Sequence, residues 1–209
     1  MRHDLEVRHG HLLRRGPHGL ELIDTDSPLS MPLPSEVRKV LGDDVTRLVG
    51  MNELAQHAFL LDWANRELDL EPLRSPEGPF IPLKNVLGIP CIEIRAGGLQ
   101  ADHAVPALLD TGAPISYAPA HLLTDVAPHG EATDFYPMIG TFTTPLYHAA
   151  IDVFGVTQVI PVGVLPPLLA GLLSVVGPDT WILGGHFFDG RRLHLDMPNL
   201  RLTQVASTP

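Results

Sequence analysis

Leu108-Leu109-Asp110-Thr111-Gly112-Ala113-Pro114-Ile115-Ser116 echoes a stretch that begins 86 residues earlier, Leu22-Ile23-Asp24-Thr25-Asp26-Ser27-Pro28-Leu29-Ser30. Asp, Thr, Pro and Ser coincide, and two apolar residues precede each Asp. An apolar run that breaks into Asp-Thr and then Pro reads as a strand ending in a tight turn. Each copy therefore delivers a carboxylate at a strand end.

Two further pairs flank this one. Leu5-Glu6-Val7-Arg8-His9-Gly10 resembles Ile92-Glu93-Ile94-Arg95-Ala96-Gly97 at an offset of 87. Both alternate apolar and charged residues, the period of a half-buried strand. Leu48-Val49-Gly50 resembles Ile182-Leu183-Gly184 at an offset of 134, and the same offset relates Asp62 to Asp196 and Asn65 to Asn199. Three pairs in one order indicate an internal duplication. The offset grows by 48 (134 minus 86), so the second copy carries about 48 extra residues after its Asp-Thr turn. The expected organisation is a short first lobe over 1–75, a linker over 76–85 and a larger second lobe over 86–209. The Pro- and Gly-containing bridge Glu71–Pro79 marks the joint.

Composition sets the class. The 21 prolines and 19 glycines among 209 residues leave little room for long helices and favour short strands joined by turns. Ser35–Leu41 is one of few short helices expected. Charged residues are 18% and the net charge is -10, with no Lys/Arg cluster suited to phosphate, which disfavours nucleic acid as a partner. The single cysteine, Cys91, and a polar N-terminus without an apolar leader point to the cytoplasm. Val159–Val176 is apolar, but Pro161, Pro166 and Pro167 interrupt it, so it reads as a buried strand and a short helix rather than a membrane span.

Ala107-Leu108-Leu109-Asp110-Thr111-Gly112-Ala113 resembles the active-site turn of the pepsin-like and retropepsin-like aspartic proteases. Ile182-Leu183-Gly184 resembles that family's second hallmark, and a copy of each stands in the first half. The resemblance implies an all-β, two-lobed, acid-protease-type β-barrel with a few short helices. It implies Asp24 and Asp110 as the catalytic pair, no cofactor and no metal. Two carboxylates a few ångströms apart share a proton, so one can take a proton from water while the other donates to a carbonyl oxygen. By the same resemblance, Thr25 and Thr111 bond across the two turns, while the small Ser27 and Ala113 leave room beside the carboxylates.

Asp26 departs from the family, which has Gly here, as at Gly112. Pointing inward, Asp26 would raise the pKa values of the pair, an arrangement expected to favour acidic working pH. Pointing outward, it would change little. Loss of catalysis in lobe one is the third outcome. The extra residues of lobe two include Phe135 to Tyr147, where aromatic and β-branched residues flank a Gly-Thr turn. This stretch resembles the family's substrate-covering flap, with Tyr136, Met138, Ile139, Gly140, Thr141 and Phe142 as its binding residues.

The expected function is an aspartic endopeptidase acting through activated water. The same cleft could instead serve small-molecule acid–base chemistry, such as a biosynthetic cyclisation or isomerisation, or bind peptides without cutting them. The expected state is a monomer of pseudo-twofold lobes; a homodimer of Asp110 turns is the other arrangement. No serine-hydrolase elbow or phosphate-binding loop is present. The 11 histidines show no metal-ligand spacing. Cys91 reads as a small core residue, Trp63 and Trp181 as core or interface, and Asp62 and Asp196 as turn formers.

Overall fold

The computed structural model describes residues 2–8, 11–17, 19–70, 76, 78–97, 104–136 and 139–206. Strand accounts for 52% and helix for 14%, so the chain is mainly β. The first half runs β1 (Arg2–Arg8), β2 (His11–Gly16), β3 (Gly19–Ile23), β4 (Met31–Pro32), α1 (Ser35–Leu41), β5 (Val45–Val49), α2 (Met51–Leu54), β6 (Ala58–Asp62) and β7 (Glu67–Asp69). Then come β8 (Phe80–Pro82), β9 (Lys84–Val86), β10 (Ile89–Gly97), β11 (Ala104–Leu109), β12 (Ser116–Ala118), β13 (Gly130–Tyr136) and β14 (Gly140–Val153). The chain ends with β15 (Val156–Val164), α3 (Pro167–Leu173), β16 (Trp181–Leu183), α4 (Gly185–Phe188), β17 (Arg192–Asp196) and β18 (Arg201–Gln204).

Two sheets result, ordered β4-β5-β3-β2-β1-β7-β6-β17-β18-β8 and β13-β14-β15-β12-β16-β11-β10-β9. Each Asp strand is hydrogen-bonded in parallel to the strand that carries a Leu-Gly element. Ile23 pairs with Val49 on one side, and Leu109 with Leu183 on the other. Next to the Asp and Gly residues these strands are apolar on both faces, because cores lie on both. Ile23, Val49, Leu109 and Leu183 enter one central core shared by the two halves. Leu22 and Leu48 face a second cluster under α1, and Ile182 faces a third beside α3. Helix α1 presents Val37 and Leu41 to its cluster, four residues apart on one face.

The halves are not separate along the chain. β17 and β18 come from the C-terminal end, yet β17 pairs with β6 over Arg192–Asp196. The 76–85 segment is not a bare linker either. Phe80–Pro82 pairs with Arg201–Thr203 at the edge of the ten-stranded sheet, and Leu83 is buried. The Pro and Gly content of the bridge suggested loop, but Ile81 and Leu83 give this stretch an apolar side to bury.

The duplication itself needs one correction. Leu13 pairs with Leu22 as Cys91 pairs with Leu108, so β2, not β1, is the counterpart of β10. The Leu5–Gly10 match with Ile92–Gly97 reflects only the alternation common to half-buried strands. His9 and Gly10 lie outside the described residues. The other two pairs do coincide in space. Their Asp-x-x-Asn turns are alike in bonding: Asn65 N donates to Asp62 Oδ1 at 2.9 Å and Asn199 N to Asp196 Oδ1 at 3.1 Å. Cys91 and Trp181 are fully buried, and Trp63 stacks on Phe188.

Candidate active site

Each Asp leaves its strand held by the neighbouring one. Asp24 N donates to Val49 O (3.1 Å) and Asp110 N to Leu183 O (2.9 Å). The turn then folds back on the carboxylate. Asp24 Oδ1 accepts from Asp26 N (2.9 Å) and Ser27 N (3.1 Å), while Asp110 Oδ1 accepts from Gly112 N (2.7 Å) and Ala113 N (2.9 Å). The Leu-Gly elements close the turns from behind. Gly50 N donates to Ser30 Oγ and Gly184 N to Ser116 Oγ. A Cβ on Gly50 would lie 2.5 Å from Ser27 O, and one on Gly184 only 2.1 Å from Ile115 O. Glycine is required at both by this close approach.

The threonines tie the turns together. Thr25 Oγ1 donates to Leu109 O and Thr111 Oγ1 to Ile23 O, both at 2.8 Å. Each hydroxyl in turn accepts the other residue's backbone N–H, at 3.0 Å for Thr111 N and 3.2 Å for Thr25 N. Both threonines are 1% exposed, so these four bonds form in a dry, rigid layer under the carboxylates. The two carboxyl groups converge there. A Cβ on Gly112 would lie 2.8 Å from Asp24 Cγ and 3.1 Å from Asp110 Oδ1.

Asp24, Asp26, Ser27, Asp110, Gly112 and Ala113 all line one cavity of about 280 Å³. Asp26 therefore faces inward. β13 and β14 form a hairpin over the cavity, with Tyr136 paired to Gly140. Ile139 N donates to Tyr136 O at 2.9 Å, Gly140 has φ 83°, and Thr141 is already in the strand opposite Phe135, so the Gly-Thr pair belongs to the strand rather than to the turn. Tyr136 and Phe142 line the cavity, and Ile139 packs with them on the lobe-two cluster. Gly140 and Thr141 do not line it, and Met138 lies outside the described residues.

Burial pushes the Asp24 carboxyl up to about 6, against the pull of its two backbone N–H donors. Asp110 is raised well above the carboxylate range by burial, then by the charges of Asp26 and Asp24. Asp26 is raised well above it by burial and by Asp24. Tyr136 is pushed up to about 12 by burial and by the same three carboxylates, so its hydroxyl stays protonated over the site.

Sequence reading missed several members of this site. Phe135 of the hairpin packs on the cluster under α1, so the hairpin reaches across to the first half of the chain. Tyr117 donates a hydrogen bond to Asp134 Oδ2, tying the hairpin to β12. Tyr117 pairs with Ile182 as Met31 pairs with Leu48, and this equivalence was the available signal. Among the described residues, no three His, Cys, Asp or Glu side chains form a metal-ligand set. No helix there is long and apolar enough to cross a membrane.

No protein-family model matches the chain, and no curated protein sequence matches it.

Proposed function

We propose that the chain is a single-chain aspartic peptidase built as a two-lobed acid-protease-type β-barrel. The observation that carries this reading is the reciprocal bonding of Thr25 and Thr111 beneath two carboxylates that are held alike. Such a layer presents two carboxyls at a fixed separation, the requirement for sharing one proton. In the proposed reaction, the ionised carboxyl takes a proton from a water between Asp24 and Asp110. The oxygen attacks the peptide carbonyl, whose own oxygen receives the proton of the other carboxyl. The intermediate collapses as the carboxyl that took the water's proton passes it to the leaving amine nitrogen and the other carboxylate takes a proton from a hydroxyl of the intermediate, which restores the pair. Tyr136 supplies a neutral donor from above, and the hairpin limits water.

The raised carboxyl pKa values move the working window. A monoprotonated pair exists above the first proton loss and below the second. Burial and the neighbouring charges raise both carboxyls of the pair, so the window in which they share one proton shifts upward from the range of exposed carboxylates.

A second reading, small-molecule acid–base chemistry in the same cleft, draws support from Phe135, which roofs the cavity by reaching the opposite lobe. The deciding experiment is digestion of a broad peptide library between pH 4 and 8 by wild type, Asp24→Asn and Asp110→Asn. Loss of cutting in both variants is expected. Loss only in Asp110→Asn would indicate a dimer of second lobes. No cutting by wild type at any pH would turn the search to small molecules.

A further inference from the structure

Among the described residues, Asp26 is the cavity carboxylate that the fold does not employ. Four carboxylates line the cavity there, from Asp24, Asp26, Asp110 and Asp134, together with the imidazole of His11 and no Lys or Arg. Asp24 and Asp110 each have an oxygen held by two backbone N–H groups, and Asp134 accepts from Tyr117 and from Phe135 N. The Asp26 carboxylate accepts no hydrogen bond and makes no ion pair among the described residues.

Its place follows from the duplication. Asp26 is the counterpart of Gly112, where a Cβ would stand against the opposite aspartate. The Asp26 side chain therefore leaves the backbone at the mouth of the Asp24–Asp110 pair. The influence of its charge on Asp110, larger than that of Asp24, agrees with this position. Beside Asp26, the lobe-one wall is mostly apolar, built from Met31, Pro34, Val37, Val40 and Leu48, with His11 as its titratable member besides the aspartates.

Resting on the peptidase reading, we propose that Asp26 makes the cleft select a substrate with a basic side chain, lysine above all, in the lobe-one subsite next to the cut bond. A lysine has the two parts this wall requires. Its methylene stem covers apolar surface, and its ammonium reaches a carboxylate at the end. Burial and mutual repulsion oppose ionisation of the cleft carboxyls, and an ammonium that pairs with Asp26 relieves that opposition at this one carboxylate. A neutral isostere fills the wall but leaves Asp26 unpaired.

The test uses two statine-containing hexapeptides that differ only in lysine or norleucine beside the statine. Binding to the full chain is measured by calorimetry at pH 7. A charge-assisted hydrogen bond predicts a preference for lysine on the order of tenfold to a hundredfold in Kd. In Asp26→Asn and in Asp26→Gly the two peptides should bind within about threefold of each other. The kcat/KM ratio for the matching cleavable peptides should shift in the same sense. Equal binding of both peptides to wild type overturns the proposal and leaves the peptidase reading standing. A lysine preference that survives in both variants also overturns it, placing the selectivity on another carboxylate. If neither peptide binds and the library is uncut, both readings fall.

Discussion

Thr25 and Thr111 are each other's hydrogen-bond partners although 86 residues separate them, each hydroxyl accepting the other's backbone N–H and donating to the carbonyl before the other's Asp. The lobes are thus joined directly beneath the residues proposed to react. Any change in how the halves meet is felt at the carboxylates.

Thr25→Val or Thr111→Val removes a hydroxyl and strands a buried carbonyl and a buried N–H. Each should cost about 2–4 kcal/mol of stability, measured by urea denaturation. Peptidase activity should fall further than the folded fraction does, while Thr→Ser retains most of both.

Stability should decline with rising pH. Asp24 has a folded pKa of about 6 against 3.8 when unfolded, so in that window the folded state binds its proton more tightly. Its contribution is therefore full below about pH 3.8 and is lost as pH rises through about 6. Asp26 and Asp110 are raised as well, by burial and by neighbouring charges, and act in the same direction. Thermal unfolding should show Asp26→Asn raising Tm more at pH 8 than at pH 4. A uniform shift across pH would contradict the burial of these charges.

Two glycines should respond in opposite ways. Gly184→Ala forces a Cβ within 2.1 Å of Ile115 O and 2.7 Å of Ala113 O, both backbone atoms, and should unfold the site or the chain. Gly171→Ala, within α3 and open around its Cβ, should stabilise by about 0.5–1 kcal/mol. Denaturation midpoints of the two variants decide this.

The lobes differ at three equivalent inward positions. Lobe one has the cross-strand series Arg14, Glu21 and Arg47, with Arg14 Nε to Glu21 Oε2 at 2.9 Å and Glu53 closing the group. Lobe two has Ile92, Ala107 and Trp181. Glu21 is fully buried, so Glu21→Ala alone should cost about 3–5 kcal/mol by taking from buried Arg14 its close partner, while Arg47 keeps Glu53. Combining it with Arg14→Ile and Arg47→Trp should recover at least half of that loss in urea denaturation.

Local chemistry was legible in the residues. Asp-Thr turns after an apolar run, Asp-x-x-Asn turns and the Ser35–Leu41 helix each form through bonds within a few residues, so each could be read and was found in place. The alternation of Leu5–Arg8 misled because every half-buried strand has it, and only pairing register shows that β2 is the counterpart of β10.

The sequence by itself determined the mainly β class, the duplicated turns and the two aspartates that the turns hold. Tertiary structure alone decided that β17 and β18 join the sheet of the first half, that Asp26 faces the cavity, and that Phe135 reaches across to the first half of the chain. Turns and strand patterns follow from neighbours along the chain. The orientation of a side chain toward a distant partner follows from strand register and packing, which no short stretch of residues encodes.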